Sequence, residues 1–245
     1  MRLKSVVKYN ISETKNSILI FYGIMAALLI VFSVISTTVT SGGYSNNSGG
    51  EVASAIFLFV VGLNSFKQNF LFLSTNGVTR KTCFYGFVIS SLIIATGMAV
   101  IDTTYGTILG LSPNYSSLFT QLYNEWAAEA SKPLSILISF VWNAVLYLFT
   151  MCLGYFITTL YYRMSKGLKI TVSVGIPVFF TIVLPIIDSE VTNGRITKWI
   201  GTLFVYLMGV KGENLPLIGV LSLIIAVALL LAWAFMLVRR APVKE

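Results

Sequence analysis

Side chains able to do chemistry are scarce in this sequence. None of the 245 residues is histidine, which removes Ser-His and Cys-His catalysis, His-containing zinc sites and most proton relays. Cys83 and Cys152 are too few for a disulfide framework and read as free thiols, one at the edge of an apolar segment and one within another. No stretch matches GxxxxGK[ST], so nucleotide has no P-loop here. No metal site is expected. An aspartyl intramembrane enzyme needs two deep carboxylates, and the apolar segments do not offer them.

Three polar residues lie in or at the end of apolar segments. Asp102 falls about 19 residues after Cys83, which at ~1.5 Å per residue puts it near a membrane boundary rather than at the midplane. It is an interfacial residue or a gate. Asn64 and Asn143 lie deeper; each is interhelical hydrogen-bonding glue or a cargo contact. Two prolines, Pro177 and Pro185, stand inside one apolar segment. Each removes a helical hydrogen bond and frees the carbonyl four residues back, a kink for packing or a hinge.

These groups are set in a strongly apolar chain. Hydrophobic residues make up 56% and charged residues 11%, with a mean hydropathy of +0.84. A soluble domain could not cover that much apolar surface with so few charges, so the sequence reads as an integral membrane protein. Its balance of +8 comes without basic stretches interleaved with aromatics, so no nucleic-acid partner is expected. About 20 apolar residues cross the hydrocarbon layer, and six segments qualify: 17–39, 52–73, 83–104, 133–162, 168–187 and 215–238. The fold class expected is an all-α, polytopic membrane domain over 1–245.

Basic residues orient it. With the amino terminus inside, the outer segments keep only Lys132, Arg195, Lys198 and Lys211 of the 17 Lys and Arg residues. The positive-inside bias therefore predicts a multi-pass protein of the cell membrane with both termini cytoplasmic. The first apolar segment is too long for a cleaved signal peptide and no A-x-A site follows it.

Three stretches are expected not to cross. Residues 2–16 carry an apolar face with Lys4, Lys8 and Lys15 beside it, the pattern of a helix lying in the inner interface with lysines toward lipid headgroups, or of a plain topogenic cluster. The segment SSLFTQLYNEWAAEAS at 116–131 predicts a helix resting on the outer surface through Leu118, Leu122 and Trp126. Residues 190–212 include a run too short to span, which predicts a short re-entrant outer segment before the last crossing.

Between the second and third spans the chain reads FLSTNGVTRKTCFYGF. Asn76 and Gly77 suit a helix end or a left-handed turn, Thr79 can cap the next helix, and Arg80 and Lys81 face anionic lipid or an acidic protein. An ordinary basic inner loop has the same composition. In this phrase, in the amphipathic 2–16 segment and in the re-entrant 190–212 segment, the sequence resembles the membrane subunit of an ABC-2-type ATP-binding cassette transporter, of the short six-span Gram-positive type. The resemblance implies an elbow helix at 2–16 and a coupling segment at 69–82 that docks on separate cytoplasmic ATPase subunits. It implies no cofactor in this chain, with ATP and Mg bound by the partner. It also implies pairing with a second permease, a copy or a related sister, and export of an amphipathic or hydrophobic cargo, with a peptide, toxin or antimicrobial favoured. The chain itself would be a transport subunit and not an enzyme. The alternative is the substrate-binding membrane component of an energy-coupled vitamin importer.

Overall fold

The computed structural model describes residues 3–39, 50–110, 115–190, 192, 194–210 and 214–239. The chain is all-helical. Its helices are α1 (Leu3–Val39), α2 (Gly50–Asn64), α3 (Lys67–Thr75), α4 (Arg80–Leu109), α5 (Leu118–Leu122), α6 (Asn124–Glu129), α7 (Lys132–Arg163), α8 (Lys166–Val178), α9 (Leu184–Glu190), α10 (Arg195–Leu207) and α11 (Pro216–Arg239). Five helical stretches are long and apolar enough to cross a membrane: Gly50–Thr75, Arg80–Leu109, Lys132–Arg163, Lys166–Glu190 and Pro216–Arg239. With 30 and 32 residues, α4 and α7 are each about 45 Å long at ~1.5 Å per residue, more than the ~30 Å hydrocarbon layer. Their ends stand in the headgroups or beyond.

The bundle is organised around α7, which packs against α2, α4 and α11. Its closest neighbour is α2, and glycine is the reason. A Cβ at Gly62 would lie 2.2 Å from the Met151 carbonyl oxygen, and one at Gly154 would lie 2.3 Å from that of Phe59. Small residues let two backbones approach where lipid offers no hydrophobic drive to association. Beside this crossing Thr158 donates to the Leu63 carbonyl at 2.6 Å. Below it, Phe66, Phe87, Tyr155 and Tyr162 interlock, with Phe87 stacked on Tyr155 and Phe66 edge-on to both tyrosines. Cys83 and Cys152 are buried free thiols.

Helix α1 departs from expectation. A separate interfacial helix at 2–16 followed by a span at 17–39 is not what forms; one continuous helix of 37 residues does. It runs parallel to α4 in a constant register. Val6 lies on Gly86, Asn10 donates to Ser90 at 3.3 Å, and Tyr22 donates to Asp102 at 2.9 Å, the two hydrogen bonds sharing one sequence offset of 80. Packing along α4 accompanies an unbroken helix through the stretch where the lysine stripe suggests a separate interfacial helix. Lys4, Lys8 and Lys15 stay exposed on the side away from α4.

The 168–187 span is also not one regular helix. Residues Phe179–Val183, between Pro177 and Pro185, form a π-helical turn that joins α8 to α9. One extra residue per turn is how a helix absorbs the missing proline N–H groups. Thr181 donates to the Pro177 carbonyl at 2.8 Å. Apart from Asp188, this stretch has no buried residue.

Candidate functional sites at the two ends of the bundle

One end of the bundle gathers the start of α1, the α3–α4 turn, the α7–α8 turn and the end of α11. Here the 76–81 stretch is a tightly built corner. Gly77 has φ +72°, its N–H bonds the Ser74 carbonyl at 3.1 Å, and the Val78 N–H bonds that of Leu73 at 2.9 Å. That pair of bonds is a Schellman motif, and the apolar contact that accompanies such motifs is present, since Leu73 and Val78 share a cluster with Val6 and Cys83. Asn76 adds a bond from its side-chain amide to the Phe72 carbonyl at 2.7 Å. Three residues on, Thr79 caps α4 by accepting from the Thr82 N–H at 3.3 Å.

The corner is thus closed on both sides and pinned from beneath by Val6. It exposes Asn76, Gly77, Thr79, Arg80 and Lys81. Arg80 also donates to the Arg239 carbonyl at 3.1 Å, a cation at the negative end of α11. Four helices, α1, α3, α4 and α11, therefore converge on one small basic surface.

Nearby, Asn64 does not link helices. It is exposed and donates to the Val60 carbonyl of its own helix at 2.9 Å. It borders a shallow cleft of about 260 Å³ with Glu13, Thr14 and Gln68.

The other end holds a polar cluster that sequence reasoning did not foresee. Asp102 is not at an open boundary; it is buried, accepts from Tyr22 of α1 at 2.9 Å and from Tyr147 of α7 through a short bond, and lies beside Ser54 of α2. Asn143, one turn from Tyr147, is fully buried and donates to Glu51 at 3.4 Å. Glu51 is itself buried at the start of α2 and accepts the Leu118 N–H. So the bundle contains two buried carboxyls, Asp102, which the sequence placed at a boundary, and Glu51, which it did not single out. Neither has a Lys or Arg partner among the described residues. The missed signal is spacing: Glu51 and Ser54 on α2, and Asn143 and Tyr147 on α7, each pair sharing one helix face.

Above the cluster sits a cleft of about 330 Å³ whose wall includes Glu51, Thr103, Thr107, Ser135, Ser139 and Lys132. It is roofed by α5 and α6, which are two short helices and not the single surface helix expected. The chain breaks at Tyr123 because Phe119 and Tyr123, rather than Leu118 and Leu122, are its buried anchors. They wedge against Trp142 and Val220, while Leu118, Leu122 and Trp126 pack around them half-buried. The Tyr123 hydroxyl reaches the Met208 carbonyl at 2.6 Å, over the bare Cα of Gly219. Burial pushes the Tyr123 phenol up, so it stays a neutral donor.

The 190–212 stretch is centred on α10, an amphipathic helix of 13 residues. Asp188 starts it, accepting from the Ile196 N–H at 2.8 Å and the Thr197 N–H at 3.1 Å. A carboxylate at a helix amino terminus satisfies free N–H groups and the macrodipole together. Trp199, Leu203, Phe204 and Leu207 remain exposed on α10.

No family model, curated protein or solved structure matches this chain.

Proposed function

We propose that the chain is the membrane-spanning permease subunit of an ATP-driven exporter of the ABC-2 type, with ATP and Mg on separate cytoplasmic subunits. The supporting observation is the 69–82 corner. A coupling element must pass force from a docked partner into the spans without yielding. Here a capped, glycine-locked turn is joined to α1 through Val6 and to α11 through Arg80. Arg80 and Lys81 supply the charge for an acidic partner surface.

On this reading α1 is the sixth crossing, which leaves both termini and every dense basic segment inside. Lys4, Lys8 and Lys15 then face inner-leaflet headgroups, and α10 is the re-entrant element of the outer leaflet. The α8–α9 stretch and the outward face of α11 carry exposed Ile170, Val174, Phe180, Leu221, Ile225 and Trp233. A second permease packs there, and the cargo route runs between the two. A mainly apolar route suits an amphipathic or hydrophobic cargo, with a peptide favoured.

The test is co-purification with an ATP-hydrolysing subunit, followed by Arg80→Glu together with Lys81→Glu. Charge reversal on a rim lowers association and stimulated ATP turnover while membrane insertion is kept, and Lys81→Glu alone, which leaves the Arg80 bond to the Arg239 carbonyl in place, lowers association with thermal stability close to the parent. Unchanged assembly and turnover would refute the coupling role.

A further inference from the structure

We infer that Glu51, Asp102 and Asn143 bind a small, hard cation at the end of the bundle opposite the basic corner. The inference stands apart from the ATPase reading and holds or falls without it.

Charge is the first argument. Two carboxyls are buried at 4% and 6% exposure. Glu51 and Ser54 lie one turn apart on α2, Ser54 lies beside Asp102, and the two carboxyls are near enough to act on each other electrostatically. The groups facing them from the packed helices are Tyr22, Ser54, Tyr105, Tyr115, Asn143 and Tyr147. All are neutral. Buried charge in that setting is costly unless a counter-charge joins it.

The second argument is independent of charge. Asn143 is 0% exposed, yet its Oδ1 has no hydrogen-bond donor among the described residues. Its Nδ2 already donates to Glu51, and the reverse amide orientation would set two oxygens face to face. With Nδ2 on Glu51, Oδ1 is left as a buried acceptor on the same amide, one atom removed from the carboxyl contact. Two further buried oxygens have no hydrogen-bond partner among the described residues: Thr103 Oγ1, on the wall of the cleft that Glu51 lines, and Tyr105 Oη, whose ring feels the Asp102 charge. A proton on Glu51 could serve only one of these atoms. A cation can engage several at once.

Donor chemistry narrows the class. Carboxylate, amide and hydroxyl oxygens with no nitrogen or sulfur donor suit hard ions, and a mixed, irregular set suits Na⁺ or Ca²⁺ better than Mg²⁺, which demands near-octahedral geometry. Access is provided by the 330 Å³ cleft, which reaches Glu51 from the surface along Ser135 and Ser139. Lys132 lines that cleft, and its ammonium is the competitor a bound cation must exclude.

The purified full chain in detergent is titrated with NaCl or CaCl2 against N-methylglucamine chloride at fixed ionic strength, reading the unfolding midpoint, with equilibrium dialysis of radioactive Na⁺ and Ca²⁺ in parallel. One of the two ions is expected to bind saturably and raise the midpoint. At a free ion concentration 100 times its Kd, the unfolded-to-folded ratio falls about 100-fold. Glu51→Gln, of the same shape, abolishes the rise; Asn143→Asp strengthens binding; Lys132→Gln retains it. No saturable uptake of either ion by the unmodified chain overturns the site, as does an equal response to N-methylglucamine. Retained binding in Glu51→Gln, or its loss in Lys132→Gln, overturns it too. So does stabilisation that follows only a fall in pH.

Discussion

The α2–α7 crossing allows a quantitative test with one methyl group. In Gly62→Ala the new Cβ would stand 2.2 Å from the Met151 carbonyl oxygen. Ordinary carbon–oxygen contact needs about 1 Å more, and backbone cannot step aside as a side chain can, so the two helices must part. Parting them strains the Thr158 bond to the Leu63 carbonyl and loosens packing around Leu58 and Met151, both buried. Overpacking of this kind costs typically 1–3 kcal/mol and a lost hydrogen bond about 1 kcal/mol, so about 2–4 kcal/mol in all. The control is Gly97→Ala, where a Cβ meets nothing within 4 Å and the helix gains up to about 1 kcal/mol. Reversible unfolding in mixed detergent–SDS micelles, followed by far-UV circular dichroism, separates the two. Gly62→Ala with Gly154→Ala should fall short of additive, because one displacement accommodates both methyls. A Gly62→Ala protein as stable as Gly97→Ala would refute the close approach.

Two local predictions follow from the caps. Thr79→Ala removes the acceptor for the Thr82 N–H and costs about 1 kcal/mol, recovered in Thr79→Ser, measured by the same unfolding assay; an unchanged midpoint in Thr79→Ala refutes the cap. Asp188→Ala leaves the first N–H groups of α10 without their acceptor and destabilises that helix by roughly 0.5–2 kcal/mol, read as faster amide hydrogen exchange over 195–200 with exchange in α7 unchanged.

Local chemistry was legible in the sequence where it depends on neighbours along the chain. Asn76-Gly77 followed by Thr79 demands a left-handed helix end and then a cap, and both form because neither needs a distant partner. Of the six apolar spans expected, five correspond to helices long and apolar enough to cross a membrane, 17–39 not being among them, and those were legible for the same reason, since length and hydropathy are local quantities. What required other helices stayed hidden. The lysine stripe of residues 4–15 suits an interface equally well as the outer side of an unbroken helix, and only the match of Val6, Asn10 and Tyr22 to Gly86, Ser90 and Asp102 decides between them. Glu51 reads as a loop residue beside its glycine-rich neighbours, and burial comes to it from Leu118 and Asn143, far along the chain. Phe119 and Tyr123 became the anchors of the outer segment because Trp142 and Gly219 make room for them, which no helical periodicity within 116–131 could reveal.

The central claim is that the Asn-Gly corner faces the cytoplasm while the roofed cleft faces outward. Single cysteines at Asn76 and Gln121, both exposed positions, are the most direct probes, since the native Cys83 and Cys152 are buried. On intact cells a membrane-impermeant maleimide should modify Gln121→Cys, and reach Asn76→Cys only after the membrane is opened. Modification of Asn76→Cys on intact cells, with Gln121→Cys protected, would reverse the orientation and remove the basis for an ATPase at that corner.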